Sequence, residues 1–168
     1  MAARPRLHDT DAAATERSDR LRRARDLGRI TYDQVRVEVE GAMAAARTRR
    51  QPVSFALVRV ARDQFPAEAT LVDEVSRRLG SAIGPSRVLG CSTPDEVAVL
   101  FEGTDAAGAH RMLSEAIAQV LAGTIDLRLW AGLATYPMHA ATADELTMAA
   151  DAALVDAGSD GRGVSIAR

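Results

Sequence analysis

The run Cys91-Ser92-Thr93-Pro94-Asp95-Glu96-Val97-Ala98-Val99-Leu100-Phe101-Glu102-Gly103 decides how the rest of the chain is read. Two short β-like runs, Arg87 to Gly90 and Val97 to Phe101, flank a Thr93-Pro94 turn and the acidic pair Asp95-Glu96. That pattern predicts a hairpin with carboxylates at its bend. Paired acids there serve a metal ion if a third acid joins them, or a phosphate if the backbone is permissive.

Upstream, Val53 to Val60 is apolar on both faces and reads as a central strand, with Arg59 its one charge. A cation near the end of such a strand either reaches solvent or meets a carboxylate. The preceding stretch, Thr31 to Arg49, repeats Tyr32, Val35, Val39, Met43 and Ala46 at helical steps, with Thr31 as cap. Its closing Arg47, Arg49 and Arg50 suit the negative end of a helix dipole. A second helix covers Thr70 to Ile83, with Leu71, Val72, Val75, Leu79 and Ile83 on one side and Gly84-Pro85 as its stop.

Downstream, a helix begins at Thr104 or Asp105 and turns Ala109, Met112, Leu113, Ala116, Ile117 and Val120 inward. Ile125 to Tyr136 alternates as a strand, with Leu127, Leu129, Ala131 and Leu133 on one face and Arg128, Trp130, Gly132 and Ala134 on the other. Thr142 and Glu145 form a capping box for a helix to Ala157, and Gly161 to Ile166 closes the chain as a strand. The order of elements predicts an α/β (α+β) fold: a central, mixed, mostly antiparallel five-stranded sheet flanked by helices.

The 168 residues, 47% of them hydrophobic, suffice for one core. Residues 1–26 read as a polar tail, partly disordered or helical, and 27–168 as the single domain. The tail carries Arg17, Arg20, Arg22, Arg23 and Arg25 among Asp9, Asp11, Glu16, Asp19 and Asp26. Leu21 and Leu27 alone do not make an apolar stripe, so a helix there needs a partner; the segment is either a solvated face or a basic docking arm.

A net charge of −2 supplies no field for nucleic acid, and no apolar run is long enough to enter a bilayer as a spanning helix. Cys91 is the only cysteine, and His8, His110 and His139 lie far apart, which argues against a disulfide and a zinc site. No secretory signal opens the chain, so a cytoplasmic location is expected.

From about Leu27 onward the chain resembles a GGDEF domain, the diguanylate cyclase fold related to nucleotidyl cyclase palms. Three segments carry the resemblance in order and spacing. They are Asp95-Glu96-Val97-Ala98-Val99-Leu100-Phe101-Glu102-Gly103-Thr104-Asp105, then Gly132-Leu133-Ala134-Thr135-Tyr136-Pro137-Met138-His139, then Ala150-Asp151-Ala152-Ala153-Leu154 followed by Gly161-Arg162. The resemblance implies a site in which a first-strand carboxylate and the hairpin acids hold two metal ions, and two facing domains join two GTP molecules into cyclic di-GMP. Such chemistry needs closely placed acids and glycines that let the backbone approach the nucleotide.

Measured against that pattern, most working positions have changed. The family's Gly-Gly is Thr93-Pro94, which adds side chains and removes an amide donor, and its phenylalanine is Val97. Its first-strand acid falls on Arg59, with Ala61 at the second acid and Asp63 two residues further. The nucleotide-recognising Asn-Asp corresponds to the Pro66-Ala67-Glu68-Ala69 stretch, the lysine after the last motif to Gly158, and the inhibitory Arg-x-x-Asp to Gly84-Pro85-Ser86-Arg87. The family's Asn-Arg before the first long helix has no counterpart.

Arg59 is therefore expected to pair with Asp95 and Glu96 where metal would sit, and to take the place of a cofactor; breaking a buried pair of that kind costs roughly 3 to 5 kcal/mol. Trp130, where the family has a small residue, is expected to fill space under a helix, to fill the vacated nucleotide pocket, or to anchor another protein. The implied function is that of a catalytically inactive GGDEF-like module with no attached sensor or output domain. It would bind another cytoplasmic protein in cyclic di-GMP signalling, polarity or motility. A receptor for GTP or cyclic di-GMP is the alternative, and a residual cyclase using Asp63 with Asp95 and Glu96 comes third. Homodimerisation follows from the family's reaction, and loses that reason if the chemistry is gone.

Overall fold

The computed structural model of the chain describes residues 30–63, 67–84, 87–160 and 163–168. The tail expected over residues 1–26 lies outside them, as do Phe65, Pro66, Pro85, Ser86, Gly161 and Arg162. The elements are α1 (Tyr32–Arg49), β1 (Val53–Arg62), α2 (Ala69–Ile83), β2 (Val88–Thr93), β3 (Glu96–Glu102), α3 (Ala106–Leu121), β4 (Leu127–Tyr136), α4 (Ala143–Asp160) and β5 (Val164–Ile166). Five strands form one sheet in the order β2-β3-β1-β4-β5. Every pairing is antiparallel except β4 with β5, so the predicted mixed, mostly antiparallel class is the one observed.

Helix α1 starts where Thr31 accepts from the Gln34 amide at 3.3 Å while Gln34 accepts from the Thr31 amide at 2.8 Å, a reciprocal capping box. It ends on Arg50 at φ 55°, and Arg47 donates to the Ala141 carbonyl at 2.7 Å. Val35, Val39, Met43 and Ala46 are buried as expected, whereas Tyr32 is 58% exposed. Its hydroxyl lies 3.4 Å from Thr147 Oγ1 of α4, so the ring is held at the edge of that helix rather than in the core.

Period-two alternation sorts the side chains of β1 between two layers. Ala56, Val58 and Val60 pack against Val75 and Leu79 of α2 and Leu113 and Ile117 of α3. Phe55 and Leu57 pack against Val39 and Met43 of α1 and Leu146 and Leu154 of α4. Helix α4 lies so close to β4 that a Cβ on Gly132 would stand 2.1 Å from both the Ala150 carbonyl oxygen and the Leu154 amide nitrogen. Glycine is the one residue that admits such an approach.

Several boundaries differ from the sequence expectation. Strand β1 runs to Arg62 rather than Val60, because Ala61 and Arg62 remain paired with Arg128 and Leu127 of β4. Helix α4 continues past Ala157 to Asp160; Ala157 is fully buried, so packing carries the helix a further turn through Gly158. Strand β5 is correspondingly short and begins at Val164.

Candidate functional site

The bend of the β2–β3 hairpin is Pro94-Asp95, and Thr93 and Glu96 face each other across it. This corrects the expected placement of both acids at the bend: Glu96 is the first residue of β3 and is 7% exposed. Proline fixes φ near −65°, and Asp95 is not among the residues with positive φ, so the bend is not one of the primed turns that glycines favour. Thr93 Oγ1 donates to Asp95 Oδ1 at 3.0 Å, and the Val60 amide donates to the Asp95 carbonyl at 2.8 Å. The first bond is internal to the hairpin, and the second pins its tip to β1. Val97, next along, is fully exposed to neither solvent nor the site: it is buried in the layer under α2 and α3.

Register places Glu96, Arg59 and Trp130 in one row across β3, β1 and β4, on the side of the sheet covered by α1 and α4. Directly opposed residues of antiparallel strands share a face, so the row is a contact surface. Arg59 Nη2 donates to Glu96 Oε1, and Arg59 Nε lies 3.7 Å from Asp95 Oδ2. The second contact is an ion pair without a hydrogen bond, since Nε itself has no bonded partner. Desolvation opposes the charge on Arg59, but the bond to Glu96 and the charges of Glu96, Asp95 and Asp151 outweigh it and hold its pKa above the ordinary value.

Trp130 reaches the other end of the row. Its Nε1 stands 3.0 Å from where a Cβ on Gly158 would be, so the indole lies against the bare backbone of α4. A large ring on the strand thus matches a missing side chain on the helix, and α4 also supplies Asp151 to the field around Arg59. The contact between Trp130 and Gly158 was not read from the sequence; a tryptophan and a glycine at two separated positions that differ from the family pattern were the only signal for it. Asp63 is not drawn into this group. Its carboxylate bonds the Arg128 guanidinium, and its amide donates to the Asp126 carbonyl at 3.3 Å.

The donor set does not suit a divalent cation. Hard cations need several anionic oxygens converging on one point, and here a guanidinium occupies the angle between the two carboxylates. Among the described residues no three His, Cys, Asp or Glu side chains are grouped to hold a metal ion.

No protein-family model matches the chain, and no curated protein matches it. Solved structures do. The GGDEF domain of YfiN from Pseudomonas aeruginosa superposes with a TM-score of 0.72 at 24% identity, covering 83% of this chain and 96% of that one. The fold is that of a GGDEF domain. The active GGEEF domain of a diguanylate cyclase from Vibrio cholerae gives a TM-score of 0.69 at 19% identity, over 81% of this chain and 96% of that one. The GGDEF domain of DgcB from Caulobacter crescentus, solved in complex with c-di-GMP, gives 0.65 at 20% identity, over 81% and 90%. Within this fold the Arg59 row lies beside the tip of the β2–β3 hairpin. Among the described residues no helix is long and apolar enough to cross a membrane.

Proposed function

We propose that this chain is a GGDEF-fold protein without diguanylate cyclase activity, which acts in cyclic di-GMP-linked signalling by binding another protein in the cytoplasm. Arg59 carries the reading. Its guanidinium bonds Glu96 and neighbours Asp95, so the oxygens a metal ion would need are already engaged by a fixed cation. Without a metal, nothing at the hairpin neutralises a triphosphate or lowers the pKa of an attacking hydroxyl. Pro94 offers no amide to a phosphate, and the Trp130 ring closes against Gly158. What persists is a rigid scaffold with a changed surface, which suits recognition of a cell-polarity, motility or signalling protein.

The test is incubation of the purified chain with GTP and Mg²⁺ or Mn²⁺, followed by assay for cyclic di-GMP. No product is expected. Product that disappears in Asp95→Asn would overturn the proposal and favour a residual cyclase.

A receptor role is the second reading, favoured by the DgcB domain having been solved with c-di-GMP bound. Calorimetry with GTP and with cyclic di-GMP separates the two. Absence of heat with either ligand leaves protein binding as the function, and a micromolar dissociation constant for one of them replaces it with ligand sensing.

A further inference from the structure

Helix α4 presents an outer face that its own fold does not use. Met148 and Val155 are 69% and 63% exposed, and Ala152 and Ser159 beside them are exposed as well. These four recur at steps of four, three and four residues, the spacing of a coiled-coil seam, and the two small ones let a neighbouring helix come close. Acids flank the seam on both sides, Asp144 and Asp151 on one and Asp156 on the other, and α4 contains no basic residue. Glu145 is engaged by its own helix start, where Oε2 accepts from the Ala141 and Thr142 amides at 2.8 and 3.3 Å.

The charge on this face is local, since the chain as a whole carries only −2. Among the described residues Asp151 and Asp156 form no salt bridge, and Asp144 has Arg36 Nη1 at 3.8 Å. A solvated helix face normally mixes both signs, as α2 does where Arg77 and Arg78 both donate to Glu74. Apolar side chains within a field of one sign are instead what a partner of opposite charge recognises, because the charges beside a seam choose which helix may pack on it. Anionic lipid and nucleic acid are repelled by such a face. A second copy packing through its own α4 would bring the same acids and is opposed by like charge.

We propose that the outer face of α4 packs against a basic amphipathic helix of another protein. Apolar residues of that helix lie over Met148, Ala152 and Val155, and arginine or lysine beside them meets Asp144, Asp151 and Asp156. The inference gives the protein-binding role proposed above its surface and its class of partner, and rests on that reading. Tyr32 of α1 stands at the Met148 end of the face, through its hydroxyl 3.4 Å from Thr147 Oγ1, and adds an exposed aromatic ring to the surface the partner meets.

The probe is a dye-labelled synthetic peptide of about three heptads with leucine at the seam positions and arginine at the flanking ones, and its control has glutamate in place of arginine. Fluorescence anisotropy with the full chain at roughly 0.1 M salt should show the arginine peptide bound at least about tenfold more tightly than the control. Asp151→Arg with Asp156→Arg should reverse that preference. Because Asp151 neighbours Arg59, Asp156→Arg alone is the second variant and should weaken the arginine peptide about threefold. Met148→Ser with Val155→Ser should weaken it as well. Glu115→Arg on α3, an exposed position, makes the same change in net charge as Asp156→Arg and should leave the affinity as it is. An unchanged thermal midpoint verifies that each variant is folded. No binding of the arginine peptide overturns the proposal, as does an equal loss from Glu115→Arg and Asp156→Arg or an affinity indifferent to Met148 and Val155. A dimer in sedimentation that Val155→Ser abolishes gives the face to a second copy and overturns it too. Any of these outcomes leaves the absence of cyclase activity standing, whereas cyclic di-GMP made from GTP strikes the proposed function and not the peptide measurement.

Discussion

The two faces of the central sheet are made by the same strands yet treat charge in opposite ways. On the side covered by α2 and α3, Ala56, Val58, Val60, Val97 and Val99 are no more than 1% exposed, and the buried polar groups of the strands there are neutral, Ser54 and Thr135, whose hydroxyls lie 2.8 Å apart. On the side covered by α1 and α4, the apolar run of Phe55 and Leu57 stops at Arg59, and the row Glu96–Arg59–Trp130 takes over. The first face holds the fold, and so could not change without losing it. The second carries the charged row, on strands that stay in register beneath it.

The strongest way to break the comparison is at Gly132, where α4 meets the sheet. A methyl group there would overlap the Ala150 and Leu154 backbone, and backbone cannot rotate aside as a side chain can. Gly132→Ala is expected to cost about 3 kcal/mol or more, at the upper end of overpacking effects, and to lower the thermal midpoint by roughly 10 °C. The fluorescence of Trp130, the only tryptophan in the chain, should shift with it. Gly41→Ala, with nothing within 4 Å of the new methyl, is the control and should be neutral or stabilising through helix propensity. Equal effects at the two glycines would show that close packing of α4 does not hold the site face together.

The next test addresses the row itself. Removing the cation with Arg59→Met leaves Glu96 buried without its bonded partner. The full penalty of a broken buried pair is reduced here because the Arg59 side chain is 37% exposed, so about 2 kcal/mol is expected. In a Glu96→Gln background the same substitution should cost less than about 1 kcal/mol, since a neutral amide needs no counter-charge. Chemical denaturation of the four proteins measures the difference. Identical costs in both backgrounds would mean that the guanidinium contributes packing alone.

Trp130 sharpens the comparison at the opposite end of the row. The ring is partly buried against Gly158, so Trp130→Ala should cost about 2 kcal/mol rather than the larger loss typical of a fully buried aromatic. If stability falls while affinity for a protein partner is unchanged, the ring is a filler of the space over α4. Lost affinity at unchanged stability would make it the anchor of the interface.

Residues whose position follows from period and local capping were legible in the sequence. The continuous apolar run of Val53 to Val60 and the alternation of Ile125 to Tyr136 marked the strands, the second beginning two residues later at Leu127, Thr31 and Thr142 marked helix starts, and Gly84 marked a stop. The charge of Arg59 in a central strand left it to reach solvent or to meet a carboxylate, and only the resemblance to the GGDEF fold, which sets that strand beside the hairpin, led to the expected contact with Asp95 and Glu96. What period could not supply was distance between elements. Gly158 and Trp130 lie 28 residues apart, and nothing local tells a helical glycine that it faces an indole. Glu96 was assigned to the bend because Thr93-Pro94 was taken as the turn; a proline at the first turn position moves the bend one residue on and returns Glu96 to the strand.

The smallest effect lies where β4 passes into α4, at the end of the strand away from the Arg59 row. His139 Nδ1 accepts from the Thr135 amide at 2.9 Å, so the bonded imidazole is neutral at Nδ1. Burial pushes its pKa below the ordinary 6.5. The unfolded chain therefore binds the proton first as the pH drops, and stability present above pH 6.5 is lost as the pH falls through the lowered folded value. Protonation also turns Nδ1 into a donor and removes the bond from Thr135. The thermal midpoint of the wild type should fall between pH 7.5 and pH 5 by a few degrees more than that of His139→Asn, which has no titrating ring. Parallel curves would show that this corner tolerates charge as the Arg59 row does, and the contrast between the two faces would then depend on the row alone.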